Sequence, residues 1–223
     1  MKLGRKLLSR TIPDSDELRY LTYLPKFNTF CKNHPEEAPL FENKLQMYDY
    51  INETVIKHQP VAYCEFGVYK GTTIKYWAKI NSHIHSVFYG FDTFTGLPEP
   101  WKKIMFSLDK STFDTGGEIP RVSDDRVSFF KGLFQTTLPS FVEHYDNEHQ
   151  LIINNDSDLY SSTLYTLTTA HNIIVPGTII IFDEFLSMLH EFRALEDYCS
   201  SYLREYKILA AANAYSQVAI RIM

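Results

Sequence analysis

The sequence predicts a doubly wound, Rossmann-like α/β domain, a mostly parallel sheet with helices on both faces, and three observations carry that prediction. Short apolar runs (VAYCEF, VFYGF, LIIN, TIIIF) recur along the chain, as expected of strands covered on both faces. Segments of helical periodicity separate them, the alternation that produces βαβ units and a parallel sheet. The chain closes with KILAAAN and QVAIRIM, joined through Ala214 and Tyr215, the pattern of a terminal hairpin with one antiparallel strand at the sheet edge.

Residues 1–37 mix charge with large aromatics (Tyr20, Tyr23, Phe27, Phe30). They read as an N-terminal helical arm that packs on the body, on a second subunit or over a site. Residues 38–223 form the main domain. From Leu40 to His58, Leu45, Tyr48, Ile51 and Val55 recur at helical spacing, so a helix leads into the core. A strand over 61–67 ends in the turn Gly67-Val68-Tyr69-Lys70-Gly71, and Thr72 opens a helix over 71–80. Further strands are predicted at 86–92, 127–132, 149–156 and 177–184, with helices near 138–145, from about 158, and over 188–204. The loop 93–125 greatly exceeds the usual two to six residues, and loops of that length act as lids or binding segments.

Composition narrows the function classes. With 223 residues, 44% of them hydrophobic, the chain can bury a large core without staples. A net charge of −5 argues against a nucleic-acid partner bound through counterion release. Cys31, Cys64 and Cys199 are far apart, so neither a disulfide framework nor a structural zinc site is expected. Cys64, inside an apolar strand, reads as a small buried hydrophobe. The N-terminus MKLGRKLLSR has the charge of a signal peptide without its apolar core. No stretch approaches the roughly 20 apolar residues of a membrane span. A cytoplasmic protein with a small-molecule substrate, no membrane and no nucleic acid is the expectation.

Four acids mark the chemistry: Asp156 and Asp158 follow LIINN, and Asp183 and Glu184 follow TIIIF. If the two strands are neighbours, all four share one rim. Their repulsion then calls for a bound cation or for strongly raised pKa values. Asp158, just before Leu159-Tyr160-Ser161, has a second reading as a helix cap. Arg193 is the obvious nearby basic partner for Asp183 and Glu184, and His190 has two readings, a border of the acceptor site or an exposed helix residue. The run Asn154-Asn155-Asp156-Ser157-Asp158 lacks the glycine and the closing Glu of a calcium loop.

A nucleoside site is read from Glu65, Gly67, Gly71 and Asp92, which fall at successive strand ends. Two glycines four apart permit close approach of backbone to ligand. An acid at the end of the second strand can accept ribose hydroxyls, and a turn cap is its competing role. Neither G-x-G-x-x-G nor a phosphate loop is present, so a nucleoside without pyrophosphate, S-adenosylmethionine, is the leading candidate.

The segments EFGVYKGTT, YGFDTFTGLPE, VSFFKGLFQTTLP, NDSDLYSST and PGTIIIFDEF occur in that order. Together they resemble the macrocin O-methyltransferase family, class I enzymes that modify sugar hydroxyls of natural products, over about residues 60–222. The resemblance implies a seven-stranded methyltransferase sheet with the fourth strand beside the first and the fifth beside the fourth. It implies S-adenosylmethionine held by Glu65, Gly67, Tyr69, Thr72, Asp92, Gly132 and Phe134. It further implies a divalent cation, usually Mg²⁺, on Asp156, Asp183 and Glu184, with Asp156 and Asp158 as the catalytic acids. Asn155 departs from the apolar residue usual there, and Glu184 replaces a frequent second Asp. The expected activity is cation-dependent O-methylation of a small-molecule hydroxyl, on a sugar or sugar-bearing metabolite. A non-catalytic S-adenosylmethionine-binding protein and a nicotinamide-dependent oxidoreductase are the alternatives. The aromatic arm leaves a homodimer open.

Overall fold

The structure, a computed structural model, describes residues 15–103, 106–145 and 148–223. The basic N-terminal segment MKLGRKLLSR therefore lies outside the described residues. Ser15 caps helix α1 (Asp16–Lys32) by accepting from the Leu18 N–H. This helix packs on the body: Phe30 lies 5.0 Å from Phe185 and Phe27 lies 5.3 Å from Phe192, ring to ring.

The helix expected from Leu40 starts later. Leu40–Phe41 instead form a two-residue strand, β1, and Asn43 caps α2 (Lys44–Tyr50), which runs on through a π-helical stretch, Ile51–Ile56. The remaining strands are β2 (Val61–Phe66), β3 (Val87–Asp92), the small pair β4 (Trp101–Lys102) and β5 (Ser107–Leu108), β6 (Val127–Lys131), β7 (Gln150–Asn155), β8 (Ile179–Phe182), β9 (Tyr206–Ala212) and β10 (Gln217–Ile222). Helices α3 (Thr72–Ile80), α4 (Phe134–His144), α5 (Tyr160–Thr169) and α6 (Arg193–Tyr202) lie between them, α6 preceded by a π-helical turn, Met188–Phe192.

The main sheet has the order β1-β9-β10-β8-β7-β2-β3-β6. It has eight strands where seven were expected, the addition being β1, paired in parallel with β9 beside the closing hairpin. β10 supplies the antiparallel pairings, to β8 and β9. Side chains alternate between the faces. Ala62, Cys64 and Phe66 join the layer under α1, α4, α5 and α6, whereas Val61 and Tyr63 join the layer under α2 and α3.

What positions the site is the reversal of strand order at β2. β3 lies on one side of β2 and β7 on the other, and a ligand crevice forms beyond the carboxyl ends at such a point. Backbone bonds sew these ends together: Gly67 N–H donates to the Phe91 carbonyl, and Asp156 N–H donates to the Phe66 carbonyl. A Cβ on Gly67, whose φ is +95°, would stand 1.8 Å from the Asp156 carbonyl oxygen, so only glycine fits.

Candidate active site

A cavity of about 330 Å³ opens at the carboxyl ends of β2, β3, β7 and β8. Of the residues singled out in the sequence, Gly67, Tyr69, Thr72, Asp92, Phe134, Asp156, Asp158, Asp183 and Glu184 line it. Glu65 and Gly132 stand behind the wall. Glu65 is fully buried and accepts from the Tyr63 hydroxyl at 2.7 Å, and burial pushes its carboxyl up to about 8. Gly132 N–H donates to the Asp92 carbonyl, carrying the chain into Leu133, Phe134 and Gln135 on the cavity wall.

Of the two roles expected of Asp92, the turn cap is the one its hydrogen bonds display. One carboxylate oxygen accepts from the N–H groups of Val68 and Tyr69 at 2.7 and 2.8 Å, the other from Phe94 at 2.7 Å. It thereby fixes the Gly67 turn, in which Tyr69 holds a left-handed φ of +52°. Three of about four carboxylate lone-pair positions are thus used, leaving one for a ligand hydroxyl.

The acids divide in a way the sequence reading did not anticipate. Asp183 and Glu184 are adjacent at a strand end, so they leave the sheet on opposite sides. Asp183 turns toward α2, where Lys44 Nζ stands 2.9 and 3.1 Å from its two oxygens and the Tyr48 hydroxyl 3.5 Å from Oδ1. Glu184 turns the other way and pairs with Lys103 at 3.2 Å. Its N–H donates to Glu191, a fully buried acid whose carboxyl burial holds well above the usual range. Arg193, the expected partner, instead meets Asp197 at 3.5 Å and covers the Tyr160 ring at 3.9 Å.

Asp156 and Asp158 lie between these pairs. Among the described residues, neither side chain makes a hydrogen bond or an ion pair. Asp158 is only 6% exposed, with φ +62°. Burial, then the charges of Glu184 and Asp183, raise its carboxyl to about 8. Burial and Asp183 likewise hold Asp156 well above the carboxylate range. The helix-capping reading of Asp158 is not what the structure contains, because the residue before α5 is Leu159 and no side chain caps it.

The donor chemistry of Asp156, Asp183 and Glu184, hard oxygens, suits a divalent cation. Their arrangement does not: among the described residues, no three His, Cys, Asp or Glu side chains are grouped to hold one ion, and ammonium groups pair with two of the three acids.

Glu99, Lys102 and Lys103, from the first part of the long loop, are tied to the rim by contacts the sequence did not reveal. Ser161 donates to Glu99, Lys103 pairs with Glu184, and His190 Nε2 donates to the Lys102 carbonyl at 2.7 Å. His190 Nδ1 accepts from Tyr160 N–H, so the ring is a neutral tie, with its pKa lowered by burial. Trp101 lines the cavity with Lys103 Nζ 3.7 Å from its ring centre, and its buried indole N–H has no partner among the described residues.

Residues 41–208 match the family model of the macrocin O-methyltransferases (TylF). The chain belongs to that family. Family membership makes it an S-adenosylmethionine-dependent O-methyltransferase. No curated protein sequence matches it. Among solved structures it is similar in fold to the O-methyltransferase NovP (20% identity, 80% of this chain and 78% of that chain, TM-score 0.58). It is also similar to the calicheamicin methyltransferase CalS11 (17% identity, 94% of each chain, TM-score 0.62). An O-methyltransferase from Bacillus cereus in complex with SAH matches over 100% of this chain and 97% of that one, at 12% identity and TM-score 0.55. Among the described residues no helix is long and apolar enough to cross a membrane.

Proposed function

We propose that this O-methyltransferase acts on a hydroxyl of a sugar or sugar-bearing small molecule, with Asp158 taking the proton. The observation that carries the proposal is a buried, unpaired carboxylate on the wall of the cavity whose turn Asp92 fixes. Likeness supports the substrate class, because CalS11 is a TDP-rhamnose 3′-O-methyltransferase.

The cavity suits the cofactor. Its volume falls within the range of about 300–1,000 Å³ for small-molecule sites, and the Gly67 turn lets the ligand approach backbone. Phe134 offers an apolar wall, backed edge-on by Phe66 at 5.3 Å. Bound S-adenosylmethionine supplies a methyl carbon on a positively charged sulfur. Asp92 and the Gly67 turn orient the nucleoside end, while Thr72, at the start of α3, lines the wall beside them. Trp101 and the tied loop residues exclude water from the rim, and exclusion of water strengthens every charge interaction there. Asp158 is placed to accept the proton of the attacking hydroxyl, and a base with a pKa near the working pH is the efficient one. Asp156 stands on the same cavity wall.

Cation dependence belongs to the same proposal at the level of donor chemistry only. Asp156, Asp183 and Glu184 are the oxygens a divalent ion would use, and Lys44 and Lys103 now hold two of the three. Helix α1 of the arm, seated on the body, is proposed as a cover of the domain rather than a separate unit. The test is transfer of labelled methyl from S-adenosylmethionine to a panel of nucleotide sugars and glycosides. Labelling of a sugar oxygen is expected, and labelling confined to amines or thiols would contradict the proposal.

A further inference from the structure

Lys44 is the first residue of α2, set at the rim by its capping neighbour Asn43 and far in sequence from the acids it meets. Its ammonium spans both oxygens of Asp183 at 2.9 and 3.1 Å, and it is close enough to Asp156 and Glu65 to feel their charge. Tyr48, one helical turn on, brings its hydroxyl to the same carboxylate. Asp158 lines the same cavity, more than nine-tenths buried and, among the described residues, without a hydrogen-bond or ion-pair partner.

We propose that Lys44 is the resident cation of this rim: its ammonium holds Asp183 in place, and a divalent ion reaches the acids only by displacing it. One positive centre already occupies both Asp183 oxygens. A divalent ion needs those oxygens at about 2.0–2.6 Å and cannot share them with an ammonium group in the same place. Lysine is suited to the exchange, being a compact charge on a flexible stem. Its side chain is 32% exposed, so it has an outlet to solvent. The consequence is that ion affinity in this chain is set by a residue outside the acidic strand ends. Lys44 is thus a positioning residue, acting through Asp183.

The inference rests on the reading of this rim as the reacting end of the methyl-transfer site, and the experiment separates the two. Mn²⁺ binding to the full chain is measured by electron paramagnetic resonance for wild type, Lys44→Gln and Lys44→Arg. S-adenosylhomocysteine is titrated calorimetrically into the same proteins. Lys44→Gln should bind Mn²⁺ about tenfold or more tightly than wild type, and Lys44→Arg, which keeps the charge, should not. Equal Mn²⁺ affinity in wild type and Lys44→Gln, or no binding in either, overturns the proposal. Intact S-adenosylhomocysteine binding would in that case leave the methyltransferase reading standing, whereas wild type that fails to bind it would sink that reading instead. A second measurement needs no variant. Mn²⁺ should raise the rate of acetylation of Lys44 in wild type, followed by mass spectrometry, because displacement frees the amine. An unchanged or slower rate overturns the proposal as well.

Discussion

Replacing Asp158 with Asn removes a charge from the most crowded part of the site while keeping size and shape. Asn also tolerates the left-handed conformation, φ +62°, that this position adopts. In the folded chain the carboxyl titrates near 8, against an ordinary value of 3.8. The unfolded chain therefore sheds its proton first as pH rises. Between about pH 4 and pH 8 the folded state binds more protons, and stability falls with rising pH through that window. Four units at about 1.4 kcal/mol each set a ceiling near 6 kcal/mol. Asp156, Asp183 and Glu184 relax together once one charge is gone, so about 2–4 kcal/mol is the expected gain for Asp158→Asn at pH 8.5. For a chain of this length that corresponds to roughly 5–15 °C in melting temperature. The gain should shrink toward zero as pH approaches 4. Urea unfolding of both proteins at pH 5, 6.5 and 8.5 measures it. Methyl transfer should move oppositely: wild-type turnover rises with pH through about 8, and the variant loses most of it. A variant that is less stable than wild type at every pH would refute the reasoning, because it would mean that the carboxylate is ionised and paired.

Other substitutions probe the parts that hold the site. Asp92→Ala removes the acceptor of three backbone N–H groups, and should weaken S-adenosylmethionine binding by about 2–4 kcal/mol. Hydrogen exchange at Val68, Tyr69 and Phe94 should quicken together, and unchanged exchange would contradict the assignment. Gly67→Ala forces a Cβ to within 1.8 Å of the Asp156 carbonyl oxygen and should cost about 3 kcal/mol or more, read from the urea midpoint. His190→Ala unties the loop at Lys102, so KM for the acceptor should rise several-fold while S-adenosylmethionine affinity, by calorimetry, stays within about twofold.

The parallel core was legible because strands buried on both faces are continuous apolar runs, and 61–67, 149–156 and 177–184 are such runs with little else to read. β1 escaped because two residues carry no period, and Leu40 and Phe41 could be absorbed into the helical spacing that follows. Most residues that line the cavity were legible because the rule that ligands sit at carboxyl strand ends needs only the strands. Their partners were not: Lys44 is 139 residues from Asp183 and Lys103 is 81 from Glu184, and nothing local joins them. One signal was available and unused. Adjacent residues ending a strand point to opposite faces, so Asp183 and Glu184 were never placed to converge without a turn. Asp92 showed the reverse problem, since ribose acceptor and turn cap require the same residue type at the same place.

The central claim is that the cavity at the reversal of strand order is an S-adenosylmethionine site, and calorimetric titration of the wild-type chain tests it most directly. S-adenosylmethionine should bind saturably at one site per chain, with NAD giving no heat. Tight NAD binding with no response to S-adenosylmethionine would contradict the account.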